Sequence, residues 1–132
     1  PSYLRRIKQM TKGSNIVINN KFIPLKQLLS LIQNSAFVCL PYENISTSGS
    51  LYLTLSCKKN IIMRSCDLTS ETLKAYPELK NCIHEYKSQE ELTSFIASGS
   101  FEVLDSSYEN FLATTDINCL LSAYKTVYFE PA

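Results

Sequence analysis

Between residues 22 and 46 the sequence "FIPLKQLLSLIQNSAFVCLPYENIS" changes its hydrophobic period without a linker. Leu25, Leu28, Leu29 and Ile32 recur at helical spacing, and the chain then becomes "AFVCL", an apolar run of strand length. Pro24 suits the first turn of that helix, where its missing N–H would have no partner in any case. Any fold for this chain must tip a short helix straight into a buried strand.

The other elements follow from period and punctuation. "YLRRIKQM" is a short basic helix with Tyr3, Leu4, Ile7 and Met10 toward one side; "TKGSN" ends it, and "NIVINNKF" gives a brief extended piece. "SLYLTLSC" alternates, with Leu51, Leu53, Leu55 and Cys57 facing one way and Tyr52, Thr54 and Ser56 the other, which reads as a half-buried strand. Lys58, Lys59 and Asn60 break the pattern and "IIMRSC" returns, so residues 51–66 predict a hairpin. "TSETLKAYPELKNCIHEY" reads as a helix with Leu79, Ile83 and Tyr86 on one face and Pro77 bending it. "SQEELTSFIASG" is a second helix, opened by a Ser88/Glu91 capping box and stopped by Gly99. "SFEVLD" is a fourth strand, residues 106–123 are part helical, and "YKTVYFEP" is a fifth strand.

Three strands, a helix and two more strands predict a mainly β domain with helices. The expected architecture is a five-stranded Greek-key barrel of the oligonucleotide/oligosaccharide-binding (OB) type, with a helix between strands 3 and 4 and extra N-terminal helices. The lead-in "IPLKQLLSLIQNSAFVCL" resembles the "PLxxLL"-like segment that caps one end of the barrel in OB domains of telomere-capping proteins and proteins that maintain single-stranded DNA. As a pattern of elements the chain is similar, over residues 22–129, to OB modules of yeast telomere-capping proteins. The resemblance implies a nuclear, telomeric location and an interaction or DNA-binding role.

Length and composition set the remaining bounds. At 132 residues the chain is one domain (residues 1–132), with residues 1–21 as a basic helical extension. It begins "PSYL" without an initiator Met and is read as a segment of a longer protein. An apolar share of 45%, with eight tyrosines and six phenylalanines, excludes a disordered chain. No apolar run approaches the ~20 residues of a membrane span. Five cysteines (Cys39, Cys57, Cys66, Cys82, Cys119) form no C-x-x-C pair and sit among apolar residues, as reduced thiols of an intracellular protein do. The sequon at Asn44 is taken as chance.

Charge is unevenly placed. Residues 1–42 hold Arg5, Arg6, Lys8, Lys12, Lys21 and Lys26 and no acid, a net +6, whereas residues 43–132 hold seven bases and all twelve acids, a net −5. A basic leading edge on an acidic body steers toward a polyanion or an acidic partner, or is simply a solvated end.

No catalytic group is expected. His84 beside Glu85 has no placed nucleophile and reads as a surface feature. Cys57 and Cys66 lie nine apart with no histidine near, so no metal is expected, and the three glycines form no phosphate loop, so no cofactor is. The favoured function is a non-catalytic module that binds a protein partner subunit or a second copy of itself. Tyr3, Leu4, Ile7 and Met10 of the leading helix would carry it, with Phe111 and Leu112 of the strand 4–5 connection. The alternative is single-stranded DNA binding on the barrel face, with Tyr42 and Tyr52 as stacking platforms and Lys58, Lys59 and Arg64 on phosphates. A third possibility is an interaction domain, viral or otherwise, of unrelated α+β fold. The acidic barrel portion favours protein over DNA, because affinity for a strand comes mainly from phosphate neutralisation.

Overall fold

Ile61, Ile62 and Met63 are apolar at consecutive positions, so a strand through them has to be covered on both faces. The computed structural model, which describes residues 2–43, 48–99 and 105–115, puts that strand at the centre of a three-stranded sheet. β1 (Phe37–Leu40), β2 (Asn60–Arg64) and β3 (Ile83–Tyr86) lie in that spatial order, and both pairings are parallel. Val38 is in register with Ile61, and Ile61 with Ile83.

Parallel neighbours need a crossover, not a tight turn. The first crossover carries α3 (Gly49–Ser56), and the second carries α4 (Asp67–Ala75) and a 3-10 turn (Pro77–Asn81). Right-handed crossovers between strands added in one direction set both helices on the same face. The core matches: Leu40, Ile61, Met63 and Ile83 cluster with Leu51 and Leu55 of α3, Leu68 of α4, and Leu79. Tyr108 of a second 3-10 turn (Asp105–Tyr108) and Phe111 of α6 (Glu109–Thr114) complete that cluster. On the other face Ile62 and Tyr86 are buried, and the ring of His84 lies 5.7 Å from that of Phe95 on α5 (Gln89–Ser98).

Local signals set several boundaries. α2 (Leu25–Asn34) starts directly after Pro24 and stops two residues before β1, so the change of period is a real helix-to-strand junction. Ser88 Oγ accepts from the Glu91 N–H at 3.2 Å to cap α5, and Gly99, at φ 60, ends it in the left-handed conformation.

The expected five-stranded Greek-key barrel is corrected: the described residues are mostly helical, and their sheet is open, parallel and three-stranded. Two elements account for the change. "SLYLTLS" is helix α3, not a strand, because its polar positions are not a wet face. Thr54 and Ser56 donate back to the carbonyls of Ser50 and Tyr52 at 2.7 and 2.8 Å, which lets the helix be buried on opposite sides at Leu51 and Leu53. The hairpin over 51–66 therefore becomes a helix followed by a parallel strand. "IHEY" is strand β3, not the end of a long helix, because α4 stops before Pro77, whose ring disfavours helix at the residue ahead of it. Of the expected fourth and fifth strands, residues 100–104 and 124–131 lie outside the described residues.

α3 and α5 sit on opposite sides of this sheet, whereas among the described residues α1 (Ser2–Met10) and α2 do not pack extensively on another element. Most of the N-terminal segment is accordingly exposed, Tyr3, Met10, Ile16 and Val17 among its apolar residues.

Candidate functional site

α1 is built from good helix formers (Leu4, Arg5, Arg6, Lys8, Gln9, Met10), and the Thr11 N–H donates to the Ile7 carbonyl at 3.0 Å just beyond its end. Gly13, at φ 81, turns the chain. Two rows run along the helix at the i, i+3, i+7 spacing that aligns side chains on one face. Leu4, Ile7 and Thr11 are half-buried. Tyr3, Arg6 and Met10 face water, with Tyr3 76% and Met10 75% exposed. Past the turn, Ile16 and Val17 are 62% and 91% exposed.

The charge around this row is all of one sign. Arg5, Arg6, Lys8, Lys12, Lys21 and Lys26 are all exposed, and none of them joins an ion pair among the described residues. Among the described residues the ion pairs are Lys58–Asp105 at 3.3 Å and Arg64–Glu43 at 3.4 Å. The result is an exposed row of Tyr3, Arg6 and Met10 on a basic helix whose Arg5 and Lys8 share the other side with Leu4 and Gln9.

Phe111 and Leu112 do not belong to such a surface. Phe111 is wholly buried, its ring 6.0 Å from Tyr52 in a stacked pair and 5.3 Å from Tyr76 edge-on, and Leu112 packs against the same core. Their apolar character serves packing.

The residues singled out for DNA contact are not brought together either. Tyr42 and Tyr52 are half-buried against the core. Lys58, in the left-handed conformation at φ 52, ends the turn after α3 and pairs with Asp105; Lys59 is half-buried beside it. Both precede β2, whereas Arg64 ends it, so the central strand holds Lys59 and Arg64 about 16 Å apart at its opposite ends. No single groove of this kind collects them.

The carboxyl ends of parallel strands are where open α/β sheets commonly hold ligands. The described part of that edge spends its polar groups on structure. Ser48 Oγ accepts from the Leu51 N–H at 3.1 Å, Ser88 caps α5, and the Cys66 N–H donates to Thr69 Oγ1 at 3.1 Å. The Thr69 hydroxyl in turn donates to the Glu85 carboxylate at 2.5 Å, which ties α4 to β3. Burial holds the thiols of Cys39, Cys57 and Cys82 above their ordinary range and so keeps them poor nucleophiles. Among the described residues no three His, Cys, Asp or Glu side chains gather into a metal-holding group, and no helix is long and apolar enough to cross a membrane.

His84 is a strand residue half-buried against α5, not a helix-surface group. Desolvation lowers its pKa. The unfolded chain then takes up a proton near pH 6.5 that the folded chain refuses until lower pH, so stability falls as pH drops through and below that value. Urea unfolding at pH 7.5 and pH 5 is expected to show this loss, and His84→Phe to shrink it.

Arg6, Ile16 and Val17 were not among the residues that periodicity pointed to. The signal for the last two was present: adjacent β-branched residues between Gly13 and Asn19 have no periodic partner to bury them. No family model, curated protein or solved structure matches this chain.

Proposed function

We propose that the chain is a non-catalytic interaction module that docks a protein partner of acidic character through its N-terminal segment. One observation carries this: Tyr3 and Met10 are three-quarters exposed on a helix whose own charges are all basic and join no ion pair among the described residues. Exposed tyrosine, methionine and arginine in one row match the side chains enriched at protein interfaces, where they supply apolar area and a polar handle together. Arg6 within that row, on a segment that holds six bases and no acid, favours a partner carrying acids.

The nuclear and telomeric expectation rests on the resemblance alone, and the open parallel sheet lends it no support. The DNA alternative loses its groove with the separation of Lys58 and Lys59 from Arg64.

Photo-cross-linking tests the docking surface. p-Benzoylphenylalanine placed at Tyr3 or Met10 in cells that make the full protein is expected to give protein adducts, whereas the same group at the exposed Lys74 of α4 gives none. Adducts to nucleic acid or lipid, or equal yields at all three sites, contradict a protein-docking surface.

A further inference from the structure

Resting on that reading, we infer that the partner is a second copy of this chain, with α1 of each copy lying on α5 of the other. The chain supplies both halves of such a contact. Its first 42 residues carry +6 and the remainder −5, so a copy that gives its basic segment and receives one on its acidic body neutralises both. Among the described residues of one chain, no base of the N-terminal segment joins an ion pair.

α5 has a face that fits. Gln89, Glu90, Thr93, Ser94 and Ala97 line a shallow exposed depression along it, beside Ile96, which is 49% exposed. Thr93, Ser94 and Ala97 are small enough for another helix to approach closely, and both acids of the first turn, Glu90 and Glu91, are exposed. α1 has nine residues and α5 ten, lengths of about 14 and 15 Å, so the two match end to end. Antiparallel docking lays Tyr3 near Ile96 and Ala97 and lets Arg6 reach Glu90. The contact is reciprocal, as a two-fold pair requires.

Sedimentation equilibrium with charge reversal tests it. The wild-type chain is expected to dimerise in a salt-sensitive way. Arg6→Glu or Glu90→Arg alone should raise the dissociation constant at least about tenfold, with far-UV circular dichroism unchanged. Mixing the two single variants, or joining both changes in one chain, should bring it back to within about threefold of wild type. A wild-type chain that stays monomeric overturns the second-copy proposal; protein adducts at positions 3 and 10 would then still support docking, with a separate acidic protein as the occupant. A dimer indifferent to the single reversals overturns the α1–α5 pairing. If that dimer also ignores Tyr3→Glu/Met10→Glu, the N-terminal docking surface falls with it.

Discussion

Phe111→Ala is expected to lower the free energy of unfolding by about 3–5 kcal/mol, a large share of the 5–15 kcal/mol that holds a typical domain together. The side chain is wholly buried, and its ring meets Tyr52 of α3 at 6.0 Å and Tyr76, beyond α4, at 5.3 Å. Truncation removes both aromatic contacts and leaves a cavity between the short α6 and the two crossover helices. α6 spans only Glu109–Thr114, too short to persist without that anchor. Phe111→Leu keeps most of the volume and should cost well under half as much. Urea unfolding reads the difference as a fall in midpoint at unchanged slope. The same pair of variants separates packing from docking, because a residue serving an interface would shift association and leave the midpoint alone.

What the sequence disclosed depended on how local each signal was. α2 and β1 were legible from Leu25 to Leu40 because Pro24 fixes the start and the period changes within two residues of the junction. α5 was legible because Ser88 and Gly99 act on their own neighbours. α3 was not, because Leu51, Leu53 and Leu55 fit a strand's alternation equally well. Only the back-bonded Thr54 and Ser56 reveal a helix buried on two sides, and those bonds exist only once the helix does. β3 was hidden for a related reason: Leu79, Ile83 and Tyr86 keep helical spacing across the break at Pro77. With a helix and a strand exchanged, a parallel open sheet read as an antiparallel barrel. The proposed docking surface was half legible. Apolar residues at helical spacing among bases marked α1, but Phe111 and Leu112 carry the same apolar signature, and only tertiary packing tells a core side chain from an exposed one.

The second large effect is a contrast in backbone protection within one chain. β2 is the central strand, paired on both sides and buried from Asn60 to Met63, so its amides should open only with global unfolding. Their exchange is expected to be slowed by at least about three orders of magnitude relative to an unstructured chain. The N-terminal segment should behave oppositely. The amides of residues 17–20 make no hydrogen bond among the described residues, and α1, nine residues long and without extensive packing, is too short to hold its own bonds for long. Its amides should exchange within about tenfold of unstructured rates in dilute solution, and slow when the surface is occupied.

Amide exchange by mass spectrometry on the dilute wild-type chain is therefore the most direct measurement of whether residues 2–20 stand uncovered and available. Fast exchange there, beside slow exchange across Asn60–Arg64, is the predicted result. Protection of residues 2–20 equal to that of the central strand in the monomer would mean that the segment is already packed on its own domain, and would contradict the account.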